Sequence, residues 1–243
     1  MQIRIVREES TWQELSGAWN SLLENNHISS PFLRHEFQRV WWQGMGGGEW
    51  SQGELFILTG YDDQENLRGI APFFIAPNEG LRQLMLIGSH EIADFLDFIC
   101  SEDDLEAFVG AVLDYLIAEV NDEWDVLNFY NLLSDSHTLE ILENATQVRG
   151  LNFASKQLQS SPFIPIPADL DAYLESLSSR TAKEMRRKMR RAASYPVPIE
   201  LEIVTEAEDY EQCMGTFFEL MGREQDKAEF LSGTMEEQMH LIA

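Results

Sequence analysis

Apolar positions recur along this chain with two different periods, and where the period changes the elements change. "QIRIVRE" (residues 2–8) alternates apolar and polar side chains, the pattern of a half-buried strand. "STWQELSGAWNSLLENN" then places Trp12, Leu15, Trp19, Leu22 and Leu23 at helical spacing, with Thr11 and Glu14 offering a capping box. After Ser30 and Pro31, "FLRHEFQRVWWQ" predicts a second helix, stopped by the glycines between Gly44 and Gly48.

Three strand-like runs follow, "ELFILTGY", "LRGIAPFFIA" and "LRQLMLIG", separated by the turn-formers "DDQEN" and "PNEG". That punctuation predicts an antiparallel meander, which "DFLDFIC" extends or follows. "EDDLEAFVGAVLDYLIAEV" sets Leu105, Phe108, Val109, Val112, Leu113, Leu116 and Val120 on one helical face, with acids in the first turn where the helix dipole favours them. "WDVLNFYN" predicts a strand, "DSHTLEILENATQVRG" a helix closed by Gly150, and "LNFASKQLQ" and "PFIPIP" two further strands. Strands mixed with helices in this order predict an α/β (α+β) layered domain, a mixed sheet flanked by helices.

Beyond the proline-rich "SPFIPIPAD", Leu170, Tyr173, Leu174 and Leu177 are spaced helically, and a basic helix follows from Ala182 to Tyr195, with Thr181 and Glu184 as a second capping box. "IELEIV" with the following "TEAEDYEQCMGTFFELMGRE" predicts a strand and a helix, and "SGTMEEQMHLIA" opens another helix. The expected organisation is a first domain over 1–167, a helical linker over 168–197, and the first elements of a second domain over 198–243.

Charge changes this picture at one place. The 243 residues carry a formal net charge of -25, yet seven of the 17 Lys and Arg lie between Arg180 and Arg191, and without that segment the balance is -31. So acidic a body disfavours DNA or broad nucleic-acid binding, which rests on many phosphate neutralisations, and directs any anion to the basic strip. Arg180, Lys183, Arg186, Arg187, Arg190 and Arg191 are therefore candidate ligands for a phosphate or similar anion, since Arg offers planar, bidentate donors. The competing reading is a solvated face or a structural helix neutralising the acidic body. Its apolar seam of Ala182, Met185, Met189 and Ala192 lacks the Trp, Phe or Leu of a membrane-surface helix.

Other candidates are weaker. Asp94 and Asp97 could bind sugar hydroxyls, although three residues apart on a strand they point to opposite faces, and a capping role competes. Trp41 could stack on a sugar ring, or belong to the core. His27, His35, His90, His137 and His240 fall in no metal-ligand spacing, and Cys100 and Cys213 are isolated, so no metal and no disulfide framework are expected. The N-terminus lacks a signal-peptide core and no run is long enough to span a membrane, which predicts a cytoplasmic protein.

The element order, together with "SPFLRHEFQRVWW", "LRGIAPFFI", "LMLIGSHEIADFLDFI" and "SLSSRTAKEMRRKMRRA", resembles the GNAT acyltransferases, and among them the CelD/BcsL type linked to cellulose biosynthesis, similar to the FemX-like transferases with two tandem GNAT-like halves. The resemblance implies transfer of an acetyl or acyl group from acetyl-CoA to an amine or hydroxyl of a saccharide-like acceptor in exopolysaccharide or cell-surface glycan metabolism. It places the cofactor in the second half. That half is represented here only by its first elements, so the chain alone is expected to be inactive. The first half has only Gly88 where a Gln/Arg-x-x-Gly-x-Gly/Ala turn would cradle the pyrophosphate, and its next helix opens with Glu102, Asp103, Asp104 and Glu106. No catalytic residue is assigned; Tyr130 stands where the family sometimes has a general acid. A FemX-like aminoacyl transferase and a non-catalytic anion- or partner-binding module are the alternatives.

Overall fold

In a computed structural model describing residues 1–89, 92–231 and 234–242, the chain forms two compact units, Met1–Ser155 with Phe217–Ala243, and Lys156–Thr216. The first unit opens with β1 (Gln2–Val6), α1 (Glu9–Glu14), α2 (Ser16–Leu23), a 3-10 turn at Pro31–Leu33, and α3 (His35–Gln43). The strands β2 (Glu54–Leu55), β3 (Ile57–Tyr61), β4 (Leu67–Ala71), β5 (Phe73–Asn78), β6 (Leu81–Leu86) and β7 (Ile99–Cys100) follow. Next come α4 (Glu102–Ala118), β8 (Val126–Leu127) and α5 (His137–Val148). The second unit contains α6 (Leu170–Ser176), α7 (Ser179–Ala193) and the start of α8 (Ala207–Met221); α9 (Gln225–Phe230) and α10 (Thr234–Ile242) fall in the first.

The fold is mixed α/β, as the pattern predicts, but the meander is divided between two four-stranded sheets, β1-β3-β4-β7 and β2-β5-β6-β8. Both long strands break at the same level. Pro72 has no N–H to give to a ladder, and opposite it the chain shifts, so that Phe56 N donates to Phe73 O at 3.1 Å. All pairings are antiparallel except β6 with β8, which run parallel with Gln83 opposite Val126 and Leu84 opposite Leu127.

The core is aromatic. Trp12 and Trp19, tilted against each other, both meet His35 edge to face, and Trp41, Trp42 and Trp50 surround Phe74 with ring separations of 5.3, 6.3 and 5.5 Å. Phe73, Phe98 and Phe129 form a second group, extended by Phe108 of α4. Gly60 and Gly69 are cross-strand partners in β3 and β4, and a Cβ on either would stand within 3.0 Å of the Phe108 ring. This pair of glycines makes the hollow into which α4 presses its largest residue.

Several local expectations are corrected. The first predicted helix is two, α1 and α2, hinged at Leu15, and the Thr11–Glu14 box is not used because the helix begins before it, with Glu8 in the cap position. At α7 the cap is Ser178, whose hydroxyl accepts from Thr181 N, so the helix starts earlier than Ala182 and Glu184 is left to pair with Arg187. Residues 151–159, 162–167 and 199–204, predicted as strands, form no ladder among the described residues.

Candidate functional site

In sheets of this kind, ligands favour the carboxyl ends of parallel strands where neighbouring strands diverge. Here that place lies beyond β6 and β8. The two stay together as far as Asn128, whose N–H donates to Leu84 O at 2.9 Å, and then separate. The crevice between them is filled by the chain itself. Leu96 N donates to Asn131 O at 3.1 Å, the Asn131 amide donates back to Ala93 O, and Leu96 and Phe98 are buried. Gly88, at φ +113°, permits this filling, since a Cβ there would stand 2.8 Å from Leu96 Cδ2 and 3.2 Å from Ala93 Cβ.

The nearby start of α4 is equally unsuited to an anion. Its cap residue Ser101 turns its hydroxyl to Asp104, Asp104 also pairs with Arg68 at 2.9 Å, and Glu102 binds His137. A carboxylate-filled first turn repels a diphosphate more strongly than the helix dipole, worth about 0.3–1 kcal/mol, attracts it. These residues do not fit the pyrophosphate of a nucleotide cofactor. Gly88 serves packing, and the acids serve the helix end.

The segment that fills the crevice is anchored by a buried polar cluster. Asp97 is fully enclosed, and its carboxylate accepts from Ser136 Oγ and Thr138 Oγ1, both at 2.6 Å, and from Phe98 N at 2.7 Å. His27, with a side chain 2 % exposed, brings Nε2 to 3.3 Å from Asp97 Oδ2 and Nδ1 to 3.2 Å from Cys100 O. Burial opposes a charge on His27, but the hydrogen bond and charge of Asp97, the Cys100 carbonyl and Glu102 together raise its pKa above the ordinary 6.5. Asn26 closes the same edge by accepting from Cys100 N at 2.7 Å. The Cys100 thiol is pushed up by burial and by the neighbouring acids, which keeps it protonated and unreactive. Both cysteines are free, Cys100 buried and Cys213 exposed.

A shallow cleft of about 320 Å³ opens over the start of α5, lined by Ser136, His137, Glu140, Glu143 and Phe153 among others. His137 is exposed there, its pKa raised by the hydrogen bond and charge of Glu102. Among the described residues, no group of three or more His, Cys, Asp or Glu could hold a metal ion, and no helix is long and apolar enough to cross a membrane.

The sequence candidates are distributed unevenly. Asp94 is exposed while Asp97 is buried, so the two carboxylates do not act on one ligand. Trp41 is fully buried against Phe74, and its ring therefore faces the core and not an acceptor. The Tyr130 hydroxyl accepts from Asn128, whose amide also donates to the buried Gln83. Of the histidines, His27 and His35 are enclosed, His240 lies on Phe218, and His90 lies outside the described residues.

In the second unit, α7 carries Arg180, Lys183, Arg186, Arg187, Arg190 and Arg191 exposed along a helix about 22 Å long. Among the described residues only Arg187 of these has a carboxylate partner, Glu184 at 2.6 Å. The apolar seam is covered only at its start, where Ala182 is buried with Leu174 of α6; Met189 is 42 % exposed. Sequence reasoning found this strip but passed over His27, Ser136 and Thr138. The Ser136 cap before an amphipathic helix was legible, whereas its meeting with Asp97, 39 residues earlier, was not.

No protein-family model matches the sequence, and no curated protein matches it either. Among solved structures, one described as "Crystal structure of a probable acetyltransferase" aligns over 70% of this chain and 100% of its own, at 14% identity and a TM-score of 0.37.

Proposed function

We propose that this chain is the acceptor-side portion of a GNAT-type acyltransferase of the CelD/BcsL kind, which moves an acetyl or acyl group from coenzyme A to an amine or hydroxyl of a saccharide-like acceptor. In this reading residues 1–167 are a GNAT-like domain without a coenzyme A loop, 168–197 a basic linker, and 198–243 the opening of the catalytic half. The observation that carries it is α7, with seven Arg and Lys exposed and, among the described residues, one carboxylate partner between them, in a protein of net charge -25. In this reading the strip clamps the phosphate of an activated sugar and the acyl donor binds outside residues 1–155, a placement supported by the filled crevice and the acidic start of α4.

One extended segment supports the reading of residues 198–243 as the opening of another domain. Ile199, Leu201 and Ile203 are 69, 90 and 76 % exposed in strict alternation with Glu200 and Glu202, the pattern of a strand with one apolar face and no sheet beneath it. The filled crevice favours a second reading as well, a non-catalytic anion-binding module on a degenerate transferase fold.

Titration calorimetry with a nucleotide-sugar and with acetyl-CoA at two salt concentrations tests the proposal. The nucleotide-sugar is expected to bind and to weaken as salt rises, and the variant carrying Arg186→Gln, Arg187→Gln, Arg190→Gln and Arg191→Gln to lose that binding with its fold intact. Unchanged retention by the variant returns α7 to a structural role. Acetyl-CoA retained by the variant would reveal a cofactor site in the first unit.

A further inference from the structure

The buried pair of His27 and Asp97 has a geometry that only one protonation state of the imidazole satisfies. Both ring nitrogens face groups that can only accept, Nε2 the Asp97 carboxylate and Nδ1 the Cys100 carbonyl. The Thr138 hydroxyl, 3.4 Å from Nε2, already donates its proton to Asp97 Oδ1, so it too turns a lone pair to the ring. A neutral imidazole has one N–H and would confront one of these acceptors with a lone pair; the imidazolium donates to both. The titratable groups that act on the ring from the packed elements are Asp97, Glu102 at the start of α4 and His137 at the start of α5. Removing the proton therefore leaves a buried carboxylate without its cation and a strand edge without its clamp.

What the pair fastens is the segment that fills the crevice. Residues 92–97 fill it through Ala93 and Leu96, and the chain then runs through Asp97 into β7 at Cys100, the two positions that His27 holds. Asp97 in turn ties the segment to the start of α5 through Ser136 and Thr138. We propose that His27 is a proton-controlled fastener of the 92–97 segment, with Phe98 and β7 staying in the core: with the imidazolium in place the crevice beyond β6 and β8 is shut, and loss of its proton to solvent lets residues 92–97 lift and opens the crevice. The inference rests on residues 26–138 alone and stands or falls independently of the acyltransferase reading.

Hydrogen exchange of the intact chain, followed at the Leu96 amide that donates to Asn131, reads the opening directly. When the closed state holds one more proton than the open one, the protection factor of this amide falls by about tenfold per pH unit between 6.5 and the folded-state value of His27. Above that window it lies below the protection of the β5–β6 ladder. The His27→Gln variant, which cannot be charged, should show low protection and no pH slope. Three results overturn the proposal: no slope in the wild type, the same slope in His27→Gln, or Leu96 protection equal to that of the ladder throughout. Should the variant fail to fold, nitrogen NMR of His27 in the wild type decides, because a ring already neutral at pH 6 refutes the fastener.

Discussion

Two regions of this chain carry similar patterns and meet opposite fates. Residues 54–87 and residues 199–204 both read as strands, but the first become paired ladders around Phe73 and Phe74, while the second hold Ile199, Leu201 and Ile203 extended in solvent. The alternation in "IELEIV" is as regular as that in the first unit. The missing ingredient is a neighbour: a strand exchanges hydrogen bonds with water for a ladder, and the apolar face gains only when another layer covers it. A pattern specifies which face will be buried, not that anything is present to bury it.

The contrast can be broken most forcefully in the core. Phe73→Ala should cost about 3–5 kcal/mol in urea unfolding of the first unit, because it empties the space shared with Phe98 and Phe129, whereas Leu201→Ala should change stability by less than about 0.5 kcal/mol. Equal costs would mean that residues 199–204 are covered in solution. Next in size is Gly69→Ala, whose Cβ would meet the Phe108 ring 2.6 Å away and lift α4 from its hollow, at about 1–3 kcal/mol in the same assay.

A smaller effect sharpens the comparison by showing that the ordered unit is held by more than apolar packing. His27 has a folded-state pKa raised above 6.5, so its contribution to stability is complete below that pH and is lost as pH rises through the folded value. Thermal unfolding between pH 5 and 9 should show a falling midpoint on the alkaline side in the wild type and a flatter profile in His27→Gln. A profile unchanged by the substitution would remove the pair from the account of stability.

Much of both units was legible. The helical face of α4, the strands of the meander and the basic strip all follow from periods and charge that depend on near neighbours in sequence. What could not be read were the consequences of distance. Gly88 is a lone glycine in "LIGSHE" where the resemblance would place a phosphate-cradling turn, and only the structure shows that it admits Leu96 and Ala93. Trp41 could be read as a stacking surface or as core, and its ring, like that of Trp42, turns inward on Phe74. Asp97 carries no local sign of its role, because its partners come from residues 27, 136 and 138 on two other elements.

The sequence by itself determined the helical face of α4, the strands of the meander, the mixed α/β class and the concentration of positive charge on one helix, because each is set by spacing along the chain. Only the tertiary structure decided that the meander splits at Pro72, that the crevice beyond β6 and β8 is filled from within, and that a histidine and an aspartate 70 residues apart form one buried pair. The physical reason is that burial and hydrogen-bond satisfaction are properties of a site in space, and a site is assembled from segments whose local patterns carry no record of one another.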